Sequence, residues 1–379
     1  VTEAIQGELE EAGALRAYTA RAFDLGALTP GTVLPLPDEP FVAFWAARAA
    51  EARDGGAVAA LREHLPQLRF PIREGISETA AYRDATRKGV PPEQIPEALG
   101  LELARPDLVD LVIHPGPAGR IPLLIVRGRD EFVSLVRALS ARNEPRPVAA
   151  AQGALMVSGY NNWSRIAELR REWEARDPAR RETAAWSDEM ARITPLRELY
   201  QDRFILLSDG PYSAVPAAAV GLSEEAWRAA SLRIRRDHEC AHYLTRRLFG
   251  SMENHALDEL IADYCGITAV GPFRADWFLR FLGLENFPRF REGGRLEVYR
   301  GKPPLPDGAF AGLQAMVREA AIHVERFDAA RDPGDERERT LTALALAGLG
   351  LEKLAGPGAV DLLRRTVEGL RERIAWAGA

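Results

Sequence analysis

The chain reads as an α+β protein: an α+β N-terminal region, then a small upstream sheet and a mainly helical C-terminal half. Three observations predict this class. Two apolar, β-branched runs, residues 109–113 and 121–126, flank Pro115-Gly116-Pro117 and read as a strand pair. From Ser223 onward, apolar residues recur at helical spacing, punctuated by caps and glycines. No internal repeat or low-complexity tract competes with that reading.

Residues 1–23 form an amphipathic helical pattern, broken by Pro30, Pro35, Pro37 and Pro40. Helical spacing returns over 41–64, apart from Gly55-Gly56, and again over 131–141. Residues 143–147 hold two prolines and read as a connection between lobes, dividing the chain into 1–147 and 148–379. Gly159-Tyr160-Asn161-Asn162-Trp163 either lines a groove or forms a turn around one buried ring. Residues 165–192 are charged and helical, with no partner needed to explain the charge.

Residues 204–207 form a short strand candidate, followed by the turn Ser208-Asp209-Gly210-Pro211. Ser223 caps a long helix with Glu224 and Glu225 in its first turn, ending at Gly250. A second helix covers 255–265 and stops at Gly266. Residues 273–282, 309–329, 335–354 and 359–376 are further helices, and 296–299 is at most a short strand.

The 379 residues are 46% hydrophobic and 27% charged, which suits a folded protein with a sizeable core. A net charge of -6 argues against a general nucleic-acid binder. Two cysteines, Cys240 and Cys265, make no disulfide framework and fit a reducing compartment. No stretch reaches membrane-spanning length without charge, and the first residues lack a leader pattern. The expectation is a cytoplasmic enzyme with no membrane or nucleic-acid partner; oligomeric state has no sequence signal.

The strongest chemical signal is His238-Glu239-Cys240-Ala241-His242. On a helix, residues four apart share a face, so both imidazoles can reach one zinc ion. Glu239 then approaches the open coordination position, where it takes a proton from water. Cys240 points away and packs with Leu244 and Leu248. A catalytic zinc needs a third protein ligand. The next helix offers Glu259, with Asp263 on the same face to accept the outer N–H of a ligand histidine. Asp258 and His255 stand as alternative ligands.

His238-Glu239-x-x-His242 followed by Glu259-x-x-x-Asp263 resembles the gluzincin class of zinc metallopeptidases, over residues 238–263. The resemblance implies His238, His242 and Glu259 as ligands, Glu239 as general base and Asp263 as supporting carboxylate. It also implies a zincin-like catalytic domain in 148–379, with a helix pair beneath a sheet whose edge strand holds extended peptide. Residues 204–207 are the candidate edge. The connector of 16 residues between His242 and Glu259 is shorter than is usual in that class. Gly250-Ser251-Met252-Glu253-Asn254 looks like an aminopeptidase amine-binding loop, but follows the zinc helix instead of preceding it; Glu253 and Asn254 read as loop and cap.

The implied reaction is hydrolysis of a peptide or small amide. The other readings are a zinc enzyme acting on a non-peptide metabolite or modified peptide, and a non-catalytic metal-stabilised interaction protein. An oxyanion donor is also needed. His323 is the named candidate, with His255, Tyr212, Tyr243 and Tyr264 beside it. Arg235, Arg236, Arg246 and Arg247 flank the motif and either bind a substrate anion or pair locally.

Overall fold

The computed structural model describes residues 2–177, 183–253, 255–331 and 334–377. It is α+β, with strands concentrated in the middle of the chain and a helical C-terminal region. The residues group into two compact units, 37–210 and 1–36 with 211–379. This differs from a division at residue 147, and strand pairing gives the reason.

The first unit begins with α1 (Thr2–Thr19) and β1 (Thr32–Leu34), and resumes after residue 210. The second carries α2 (Phe41–Gly55), α3 (Ala57–Arg62), α4 (Ala80–Arg87), β2 (Val109–His114), β3 (Ile121–Val126), α5 (Arg129–Ser140), β4 (Ala154–Asn161), α6 (Trp163–Ala175), α7 (Thr183–Ile193) and β5 (Gln201–Ser208). Its sheet runs β2-β3-β5-β4. The expected hairpin is present: β2 and β3 are antiparallel, with Val109 opposite Val126. β3 and β5 are parallel, and β4 closes antiparallel on β5. Because β4 and β5 complete the sheet begun by β2 and β3, residues 148–210 stay with the upstream unit.

The core of this unit is apolar where the sheet meets its helices. Phe41, Trp45, Leu61, Phe132, Leu124 and Phe204 are all nearly inaccessible. One charged residue sits among them. Asp202 of β5 accepts hydrogen bonds from Trp45 Nε1 (2.8 Å) and Asn162 Nδ2 (2.7 Å), and pairs with the buried Arg165. Asn162 also caps α6, accepting from the Arg165 N–H. Asp202 thereby ties α2, β5 and α6 together.

The other unit continues with α8 (Glu224–Phe249), α9 (Ala256–Thr268), α10 (Ala275–Leu282), α11 (Asp307–Asp328), α12 (Glu336–Ala355), α13 (Ala359–Arg373) and β6 (Ile374–Trp376). β1 pairs in parallel with β6, Thr32 opposite Ile374, joining segments far apart in the chain. Ser223 caps α8 by accepting from the Ala226 N–H, and Gly250 ends it with φ 68°. Residues 295–299 form a 3-10 turn, not a strand. Helix α9 does not stop at Gly266 but runs through it to Thr268. A Cβ at 266 would lie 2.6 Å from the carbonyl oxygen of Ile234, so the glycine lets α9 lie close against α8. No helix among the described residues is long and apolar enough to cross a membrane.

Removing the Asp202 carboxylate would strand the Arg165 charge in the core. Asp202→Ala should therefore destabilise the protein by about 3–5 kcal/mol. Urea unfolding followed by tryptophan fluorescence measures it; a loss under about 1 kcal/mol would refute the role given to Asp202.

Candidate metal centre

Two packed helices bring the motif residues together. His238 and His242 lie one turn apart on α8, and Glu259 lies in the first turn of α9. All three are buried, and one ligand atom from each lies within 4.8 Å of the others. The two Nε2 atoms are 3.1 Å apart. Glu259 Oε1 lies 3.5 Å from His242 Nε2, and its Oε2 lies 3.7 Å from His238 Nε2. A tetrahedral zinc with bonds of about 2.0–2.2 Å separates its ligand atoms by roughly 3.3–3.6 Å. The observed separations straddle that interval. The cluster could hold a divalent metal such as zinc.

The remaining polar atoms are consistent with this. Glu259 Oε2 is buried and makes no hydrogen bond. An unsatisfied buried carboxylate oxygen is costly unless a cation meets it. His238 Nδ1 lies 2.8 Å from Asp263 Oδ1, so Nδ1 carries the proton and Nε2 keeps its lone pair toward Glu259 and His242. Asp263 has two further partners, and the sequence pointed to neither pairing. The Tyr212 hydroxyl donates to Asp263 Oδ1 at 2.5 Å, and Arg295 pairs with Asp263 Oδ2. Arg295 Nη1 also donates to the Tyr212 oxygen at 3.0 Å, and its Nη2 stands 3.6 Å from Glu259 Oε2. Tyr212 and Arg295 come from 3-10 turns, which carry no periodic signal. A Tyr or Arg in such a turn is unremarkable in sequence.

Electrostatics follow from this packing. Burial alone would raise Glu259, but the hydrogen bond with His242 and the charge of Arg295 hold it well below the usual carboxylate range. Burial would likewise raise Asp263, and Arg295 and His238 bring it down. Burial would lower His242, yet its bond to Glu259 and that carboxylate's charge push it up to about 9. Tyr212 is pushed well up, by burial first and by Asp263. Glu239 is half-buried, next to His238 on α8.

The alternative ligands are engaged elsewhere. His255 caps α9: its Nδ1 accepts from the Leu257 N–H, so its Nε2 donates to the Tyr18 carbonyl at 3.1 Å. Its ring stacks on Tyr18, and burial lowers it to about 4, which keeps it neutral. Asp258 is buried against Arg21, which also pairs with Glu253. Neither belongs to the metal cluster.

Several donor candidates are also committed. His323 Nδ1 lies 2.9 Å from the Leu354 carbonyl, a bond from α11 to α12, so the oxyanion role expected of it gives way to a bracing one. Tyr264 donates to Asp328, and Tyr243 is fully buried under Arg247. Arg235 lies over the Tyr212 ring, and Arg236 pairs with Asp237. The expected edge strand needs correction too: residues 204–207 lie in β5, which has β3 on one side and β4 on the other. A strand paired on both sides has no free backbone edge for a peptide.

A cavity of about 620 Å³ opens beside the cluster, lined by His242, Glu259, Tyr18, Arg21, Met252 and Glu253, with Lys302 also at its wall. Met252 and Glu253 of the amine-loop look-alike therefore do border the cavity, although the Glu253 carboxylate is held by Arg21. Asn254, expected to cap α9, lies outside the described residues; His255 is the cap.

The chain belongs to a family of unknown function, DUF7005, which it matches over residues 2–358. No curated protein and no solved structure matches it.

Without metal, the proton on His242 stabilises the fold. Its folded pKa lies above the unfolded value of about 6.5, so this stability is complete below that value. It is lost as pH rises through about 9. In the presence of chelator, the urea midpoint should fall between these two pH values, and Glu259→Gln should flatten the decline. A midpoint that rises over this interval would contradict the assignment.

Proposed function

We propose that this member of the family is a zinc-dependent hydrolase that cleaves a peptide or amide bond. The convergence of His238, His242 and Glu259, with ligand-atom separations from 3.1 to 3.7 Å, carries the reading. These three residues would hold the ion. Zinc, when bound, polarises a substrate carbonyl and makes water more acidic.

The chain's own residues supply the rest. Asp263 takes the Nδ1 proton of His238 as a hydrogen bond, which keeps the Nε2 lone pair available. Tyr212 and Arg295 hold Asp263 on both oxygens, so the carboxylate cannot rotate away. Glu239 precedes the turn that carries His242 and is the base. One of its carboxylate oxygens takes a proton from the attacking water and delivers it to the leaving amine nitrogen. The cavity beside His242 and Glu259 has room for a small amide or a short peptide segment.

Metal analysis of protein purified without chelator should give about one zinc per chain. Glu239→Gln should keep the zinc and lower hydrolysis of a peptide library by about 10²–10⁴-fold. Glu259→Gln and His242→Ala should lose the metal itself. Zinc retained with wild-type turnover in Glu239→Gln would overturn the base assignment. Zinc with no turnover of any amide would favour a non-peptide substrate or a structural metal.

His242 must shed its proton to bind metal. Zinc titration at pH 7 should release about one proton per site, read calorimetrically in buffers of different ionisation enthalpy. Binding heats independent of buffer would contradict a protonated His242.

A further inference from the structure

The unit formed by residues 37–210 contains a second cleft, of about 540 Å³, along the outer side of β4 beside α4 and the end of α5. Its walls include Arg87 and Arg142 but no aspartate or glutamate. That is notable in a chain with a net charge of -6. Both arginines are exposed. Neither guanidinium makes a hydrogen bond or ion pair with another described residue.

Arg142 is set in place by an unusual backbone. Arg142 and Asn143 have φ of 57° and 59°, a region that side-chain-bearing residues rarely occupy. Asparagine tolerates it; arginine gains nothing from it. The conformation is held through Asn143, which is fully buried. Its Nδ2 donates to the carbonyls of Gln67 (3.0 Å) and Phe70 (2.8 Å), and its Oδ1 accepts from the Tyr82 hydroxyl (3.1 Å). Its N–H donates to the Arg137 carbonyl and its own carbonyl accepts from the Arg73 N–H. The buried Asn143 thus fixes the chain just past the end of α5, and with it the place of Arg142 at the cleft wall.

The strand adds donors of its own. The Ser208 N–H donates to the Gly153 carbonyl, and the register places Ala154 opposite Leu207. In an antiparallel ladder this phase turns the backbone of Leu155 and Val157 toward β5. The N–H groups of Met156 and Ser158 then face outward, and both residues line the cleft. The two arginines and the outward amides thus line one cleft with no carboxylate in its wall, although Arg142 also borders a neighbouring cleft that holds Glu78 and Glu144.

We propose that this cleft binds the phosphate group of a small phosphorylated molecule. A phosphate monoester accepts hydrogen bonds only, carries close to two negative charges at neutral pH, and fits guanidinium forks in a bidentate manner. Leu139, Leu155 and Met156 offer an apolar wall for the remainder of such a molecule. The proposal does not depend on the metal centre.

Calorimetric titration of phenyl phosphate into the full chain at low ionic strength tests it. Saturable binding is expected, weakened about tenfold or more in Arg142→Gln and in Arg87→Gln. Arg365→Gln, an exposed change on α13, should bind as wild type. Phenyl phosphate should also raise the melting temperature of the wild type and not of Arg142→Gln, while the unliganded melts of the two stay alike. Succinate, a dianion without phosphate, should bind more weakly. Equal binding by both arginine variants, or no saturable binding, overturns the site; tighter binding of succinate overturns the phosphate assignment.

Discussion

The packing of α8 against α9 places three carboxylates, Asp258, Glu259 and Asp263, in the interior, and the centre is organised around the last two. Taking a carboxylate out of water costs several kcal/mol after relaxation, so each must meet compensating groups. Asp263 meets His238, Tyr212 and Arg295. Glu259 meets the two histidines and, more distantly, Arg295. The turn that carries Tyr212 and the turn that carries Arg295 are thus anchored by the same pair of charges. Gly266 makes the arrangement possible by letting the two helices approach at Ile234.

That dependence explains what could be read from sequence. His238, His242, Glu259 and Asp263 were legible because helical spacing converts a short string into a face. Local geometry sufficed for each helix, and one packing step joined them. Tyr212 stood only as a candidate oxyanion donor and Arg295 not at all; their ties to Asp263 were not legible, since each reaches it through tertiary structure from a turn without periodicity. His255 misled for a related reason: a histidine one turn before Glu259 shares its face, but as the cap its nitrogens are spent on Leu257 and Tyr18. Gly266 looked like a helix end because helix packing, which sequence spacing does not show, gave it a different use.

The sheet shows the same division. The hairpin β2–β3 carries dense β-branched runs and was plain. β4 was missed because Gly159 and the asparagines weaken its strand signal, while β5 supplies the pairing that stabilises it, with a bulge between Ser158 and Tyr160. The motif from Gly159 to Trp163 also divides between its two readings. Gly159, Tyr160 and Asn161 line a cleft. Asn162 is a buried cap and a partner of Asp202, and the Trp163 Nε1 is tied to the Thr86 carbonyl. The pairing of β1 with β6 joins segments more than three hundred residues apart in the chain, and no local pattern announces it.

Charge counting at the centre gives an argument for a bound cation separate from ligand spacing. Glu239, Glu259 and Asp263 contribute three negative charges, and Arg295 returns one. Nearby, Arg21 cancels the buried Asp258. With both histidines neutral, Glu239, Glu259, Asp263 and Arg295 together carry a net negative charge, with the buried Arg235 over the Tyr212 ring as a further cation beside them. In the metal-free chain, His242 offsets part of that negative charge by holding its proton to about pH 9. That is a poor substitute, since one proton cannot serve two Nε2 lone pairs 3.1 Å apart and the unbonded oxygen of Glu259 at once. A divalent ion held by His238, His242 and Glu259 would satisfy all three atoms. The raised basicity of His242 reflects the carboxylates that face it: Glu259 through its hydrogen bond and its charge, then Glu239 and Asp258.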